Sequence, residues 1–127
     1  MRVDLGLLFL RVFAGGTMLL SHGIPKFMKF AQLAERFPDP LGVGSKFSLV
    51  LAVFAEVVCA VLLILGLATR LASVPLLSTM IVAFFVVHAL DPFAQKELAF
   101  LYGAIFLALA VSGPGNFSLD QIRKGRR

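Results

Sequence analysis

Seven residues could do chemistry that their surroundings cannot: Arg11, His22, Lys26, Glu56, His88, Glu97 and Tyr102. They stand in or beside long apolar runs, where an ionisable side chain costs about 2.5–3.5 kcal/mol on insertion scales and needs a partner or a purpose. Imidazole and carboxylate groups can pass protons, and histidine titrates near neutral pH. Two histidines with carboxylates could also hold a metal. No H-x-x-H or H-x-x-x-H spacing occurs, so no metal is expected. The single cysteine, Cys59, leaves no dithiol for redox work.

Spacing suggests where these groups point. Arg11, Gly15, Met18 and His22 follow a 4-3-4 pattern, one stripe of a helix. Glu97, Leu101, Ala104, Ala108 and Ser112 form a second stripe whose small residues suit close packing, which predicts that Glu97 faces the bundle interior. Tyr102 is then placed to hydrogen-bond within the bundle. At 1.5 Å per residue, Arg11 lies roughly 10 Å and Glu56 roughly 16 Å from the same membrane face. An arginine side chain spans that difference, so an Arg11–Glu56 ion pair is expected. The combined expectation is a polar mouth of His22, His88 and Glu97, with Lys26 one turn past His22, leading down to Glu56 and Arg11. Each feature has a plainer explanation alone: interfacial histidines meet water and headgroups, and a buried ion pair can be only a clamp.

The elements that must position these groups follow from composition. Hydrophobic residues make up 59% of the 127 and charged residues 15%, against about 25% charged in soluble domains. A soluble fold of this size has too much surface for so much apolar matter. Four apolar stretches, residues 5–21, 47–67, 71–90 and 97–112, are each long enough for a helix to cross about 30 Å of hydrocarbon. Runs such as Val57–Leu65 do not alternate, which argues against a barrel. The fold class is therefore all-α membrane: a four-transmembrane-helix bundle, with residues 1–127 read as a single domain. Between His22 and Lys46, the spacing of Phe27, Phe30, Leu33, Ala34 and Phe37 predicts a short interfacial helix, ended by FPDPLGVG. Asp4 and Arg11 interrupt the first apolar run and no A-x-A site follows, so this run is read as a retained span rather than a signal peptide. Arg70 sits in the tight GLATRL connection. Gly113 and Gly115 end the fourth span, and Ser118 with Gln121 marks a cap for a terminal helix containing Asp120. Arg70, Gly113, Gly115, Ser118 and Asp120 are thus read as structural.

The net charge of +5 does not point to nucleic acid, because four cations crowd the end: Arg123, Lys124, Arg126 and Arg127. A basic tail beside a span touches anionic headgroups, and with Arg70 in a short loop on the same side it predicts both termini in the cytoplasm.

LRVFAGGTMLLSHGIPKF, FAEVVCAVLLILGLATRL, His88 and KELAFLYGAIFLALAVSGPGNFSLD together resemble the DoxX family of small bacterial membrane proteins over nearly the whole chain. The most specific parts are Arg11 with SHG-x-x-K, the AE…LLxLGLxTR segment and the ELA…GPGxxSLD ending. The resemblance implies a four-helix protein of the bacterial inner membrane. It also implies a place in oxidoreductase systems, thiosulfate:quinone oxidoreductase or membrane complexes that handle sulfur compounds and oxidative stress. A quinone is the implied ligand, with no covalently bound cofactor. Soluble or membrane oxidoreductase subunits are the implied partners, and small-residue stripes would allow a homodimer. The lack of a redox cysteine pair, haem motif or nucleotide motif favours a non-catalytic subunit over an autonomous enzyme. Two alternatives stand beside this: a small solute or lipid transporter or channel, and a non-catalytic scaffold for a partner enzyme.

Overall fold

Four helices are long and apolar enough to cross a membrane: α1 (Arg2–Met28), α3 (Ser45–Leu65), α4 (Thr69–Val87) and α5 (Phe93–Ser112). Two short helices complete the chain, α2 (Phe30–Leu33) after α1 and α6 (Leu119–Gly125) after α5. The computed structural model describes residues 2–39 and 41–125, and no strand occurs among them. Pro40 of the FPDP breaker and Arg126 and Arg127 of the basic tail lie outside the described residues. The outer surface is what a bilayer requires. Phe13, Leu20, Phe85, Leu71 and Val111 are each more than 60% exposed, an apolar shell that water would penalise and lipid does not. The core is small, built around Met18, Cys59, Leu63, Leu76, Phe106 and Leu109.

Three of the spans contain a π-helical turn: Leu19–Gly23 in α1, Phe54–Cys59 in α3 and Ala83–Val87 in α4. Such a turn inserts one extra residue, so the side chains beyond it are rotated by about 100° from where a regular helix would put them. In α1 the helix also continues past the expected end at Ser21. Residues Ile24–Met28 carry straight on from the π turn, and Pro25, which has no N–H to donate back along the helix, stands two residues after that turn. The expected interfacial helix is therefore split. Its first part is the end of α1, the break comes at Lys29 (φ −100°, ψ 21°), and α2 is the remainder.

Glycines let α1 and α3 approach closely. A Cβ on Gly15 would come within 2.9 Å of the Ile64 side chain and 3.2 Å of the Ala60 carbonyl oxygen. A Cβ on Gly23 would overlap the Glu56 carbonyl oxygen. Small residues at a membrane helix contact serve this purpose.

The α3–α4 turn has left-handed backbone at Gly66 (φ 71°) and at Ala68 (φ 51°), the latter unusual for a residue with a Cβ. It is held by the tail. Asp120 accepts the N–H groups of Ala68 (2.7 Å) and Thr69 (3.0 Å), so it caps α4, and its own N–H donates to Gly66 O at 2.9 Å. Gly113 has φ 79° and ψ −170°, a region open essentially only to glycine, and a Cβ there would come within 3.1 Å of Arg70 Nε. Ser118 Oγ donates to Gly115 O at 2.8 Å and accepts the Gln121 N–H at 3.2 Å, capping α6.

Candidate functional site

The ionisable groups gather in two clusters, one on each side of the apolar core. The first lies where the π turns of α1 and α3 meet. Lys26 Nζ donates to both carboxylate oxygens of Glu56, at 2.7 and 2.9 Å. Glu56 is 1% exposed and the Lys26 side chain 28%. Lys26 Nζ also lies 5.8 Å from the centre of the Phe37 ring. His22, half-buried, stands close enough for the charges of Glu56 and Lys26 to act on it. Its ring packs edge-on with Tyr102 of α5, with ring centroids 6.0 Å apart.

Tyr102 opens this cluster toward lipid. It is buried, its hydroxyl within hydrogen-bonding reach of Thr17. Both residues line a groove of about 390 Å³ between α1 and α5, with Phe9, Phe13, Leu98 and Leu101 among its other walls. The groove is almost wholly apolar apart from these two hydroxyls. Parallel ring pairs flank it: Phe9 with Phe13 (5.5 Å) and Tyr102 with Phe106 (5.7 Å).

The second cluster lies toward the chain ends. Arg11, 1% exposed, donates from Nη2 to Phe117 O at 2.6 Å. Its Nε and Nη1 are buried and have no hydrogen-bond partner among the described residues. The guanidinium lies against Gly66, where a Cβ would overlap it, and the Asp120 carboxylate is near enough to stabilise its charge. Asn116 adds a second stitch from tail to α1, donating from its backbone N and from Nδ2 to the Asp4 carboxylate, each at 3.0 Å.

Several expectations are corrected. The Arg11–Glu56 ion pair does not form. Arg11 reaches toward the chain ends and Glu56 toward Lys26, because α1 and α3 run antiparallel with Gly23 opposite Glu56 and Arg11 opposite Gly66. The stripe Arg11, Gly15, Met18 and His22 breaks at its last member. The π turn puts Gly23 against α3 and swings His22 sideways toward Tyr102. Glu97 does not face the interior: it is exposed, as are Leu101, Ala104, Ala108 and Ser112 of its stripe, while Tyr102, Phe106 and Leu109 are the buried line of α5. His88 does not join a mouth with His22. Its Nδ1 pairs with Asp91 Oδ2 at 2.7 Å in the α4–α5 loop, both side chains about 40% exposed. Sequence reasoning gives Thr17 and Gly23 no part in the site and takes Phe37 only as a member of the interfacial helix. A glycine directly after His22 and one turn from Lys26 is the available signal for close helix approach. Thr17 carries no signal outside three dimensions.

Outside the membrane, Asp39 holds the first loop. It accepts the Ser48 hydroxyl (2.8 Å) and the N–H groups of Gly44 (2.8 Å) and Val43 (2.9 Å). These donors, Ser48 foremost, hold its carboxyl below the usual carboxylate range. Among the described residues no three His, Cys, Asp or Glu side chains group as metal ligands.

Fold and site together define a four-span, all-α membrane protein with an ion pair buried among its helices. The chain belongs to the DoxX family, whose profile matches residues 6–89. It is similar to an uncharacterized membrane protein of Mycobacterium tuberculosis, 37% identical over 131 residues, covering 84% of this chain and 74% of that one. It is also similar to an uncharacterized protein of Haemophilus influenzae, 37% identical over 121 residues, covering 90% of this chain and 87% of that one. No solved structure gives a significant match.

Proposed function

We propose that this protein is the membrane component of a quinone-linked oxidoreductase system concerned with sulfur compounds or oxidative stress, seated in the bacterial inner membrane with both termini in the cytoplasm. The family resemblance motivates the reading, and one observation carries it: the groove between α1 and α5 is lined by aromatic rings together with Tyr102 and Thr17, and Tyr102 is backed by His22. A quinone needs such a place. Its chain is soluble in the bilayer, its flat ring stacks against aromatic walls, and its carbonyl oxygens accept hydrogen bonds. Its reduction takes up two protons with two electrons. His22, Lys26 and Glu56 supply groups that exchange protons beside the ring, while the electrons come from a partner subunit that oxidises the sulfur compound. No dithiol in this chain competes for that role, since Cys59 is single and buried.

The test uses the composition. Tyr102 is the only tyrosine and there is no tryptophan, so intrinsic tyrosine emission reports on the groove alone. Titrating purified protein in micelles with a short-chain quinone should quench that emission saturably. Replacing Leu101 by Trp is unsuitable because it adds a fluorophore, whereas Thr17→Val removes one of the two hydroxyls and should weaken binding about 5- to 10-fold, the cost of one hydrogen bond. Quenching that rises linearly with quinone, without saturation, would count against the reading.

A further inference from the structure

The ionisable groups of the four spans fall at two levels. On the side of the α1–α3 and α4–α5 loops (the loop face) lie His22, Lys26, Lys46, Glu56, Lys96, Glu97 and Tyr102, and on the side of the termini lie Arg2, Asp4, Arg11 and Arg70. Between these two levels the only ionisable side chain on any spanning helix is the Cys59 thiol, itself 2% exposed. Its other buried members are mostly apolar, Ala14, Met18, Ala60, Leu63, Leu76 and Phe106 among them, and the buried Ser73 hydroxyl is spent on the Thr69 carbonyl of its own helix. Toward the loops the situation is reversed. Lys26 is partly exposed, it binds both oxygens of Glu56, and His22 stands beside this pair and touches Tyr102.

We infer that His22, Lys26 and Glu56 form a proton-exchange port that connects Tyr102 to the loop face of the membrane and is closed to the face that carries the termini. A proton crossing from the terminal face would have to pass a layer whose one ionisable group is a neutral thiol and whose Ser73 and Thr79 hydroxyls donate to carbonyls of their own helix. From the loop face it meets a carrier at each step: the Lys26–Glu56 pair, then the His22 ring, which lies within reach of their charges and packs edge-on with Tyr102. Arg11 takes no part, because its guanidinium is held by Phe117 O on the far side of the layer. For its purpose the inference rests on the proposed function: protons for a carrier in the groove would be drawn from the loop face only.

The port can be tested without any quinone, so failure of quinone binding and failure of the port are separate results. The full chain is reconstituted in vesicles in one orientation, which protease access to the C-terminal helix reports. The pH is then lowered from about 8 to about 5, the range over which histidine changes charge, on one side at a time, while Tyr102 emission is followed. An imidazolium ring quenches tyrosine emission more strongly than the neutral ring, and His22 lies edge-on to Tyr102 at 6.0 Å. Acidifying the loop face should lower the emission at once. Acidifying the terminal face should lower it only as fast as protons leak across the vesicle. His22→Gln should remove the prompt response. A prompt response from the terminal face, or no response from either face, overturns the inference, and both readouts come from the unaltered protein.

Discussion

Glu56 has both oxygens occupied by one ammonium group, which makes Lys26 the residue whose loss it feels most. A buried pair broken from one side leaves an uncompensated charge, a penalty of about 3–5 kcal/mol. Lys26→Met should therefore destabilise the bundle by about that much in reversible micelle unfolding, and adding Glu56→Gln should recover most of it. A cycle of Arg11→Met with Glu56→Gln should show coupling within about 0.5 kcal/mol of zero, because the two share no partner. A large Arg11–Glu56 coupling would restore the pairing that straight-helix arithmetic suggested. Asp39 gives a pH-dependent effect. Its folded pKa lies below the unfolded one, near 3.9, so its hold on the loop is present above that value and is lost as pH falls through the lower folded pKa. The protection of the Val43 and Gly44 amides, measured relative to their intrinsic exchange rate at each pH, should fall on acidification below about pH 4, and Asp39→Asn should show low protection at every pH. If exchange at these amides does not depend on Asp39, its carboxylate does not hold the loop.

At the scale of elements, the π turns decide the site. With regular helices the 4-3-4 spacing would have pressed His22 against α3. The extra residue in Leu19–Gly23 puts a glycine there instead, and the helices close until Gly23 meets the Glu56 carbonyl. Gly23→Ala should force them apart and cost about 1–3 kcal/mol, the usual range for overpacking. It should also lengthen the Lys26–Glu56 contact. An alanine variant as stable as the parent would show that the contact can relax freely. The α4 N-terminus illustrates a second kind of dependence. Ala68 has no side chain to cap the helix, so the cap comes from Asp120, about fifty residues further along the chain. Local reading marked Ser118 and Gln121 as a cap because the signal lies within four residues, and it gave Asp120 no such job.

At the scale of the whole molecule, the small core has one built-in reporter. Cys59 sits in the middle of it, 2% exposed, on the helix that carries Glu56. Its thiol should react with a maleimide only when the bundle opens, so labelling should track global unfolding, and Lys26→Met should speed it in proportion to its loss of stability. Fast labelling of the folded parent would mean that the core opens locally around α3. The number of spans and their approximate places were legible without coordinates, because crossing hydrocarbon demands long unbroken apolar runs and nothing else in a chain of this size produces them. The unusual residues were legible too, since charge inside such runs is costly wherever it points. Their partners were not. Glu97 lies on a stripe of small residues, yet that stripe faces outward, because a bilayer removes the penalty that makes the polar face of a soluble helix recognisable. His22, Lys26 and Tyr102 meet only because a π turn, an antiparallel register and a glycine contact combine. Each of these is settled by packing between helices, which no local pattern in the chain encodes. By itself, then, the sequence determined that this is a four-span membrane protein with a few costly charges. The tertiary structure decided that Lys26, not Arg11, answers Glu56, and that a groove lined by Tyr102 and Thr17 runs between the first and last spans.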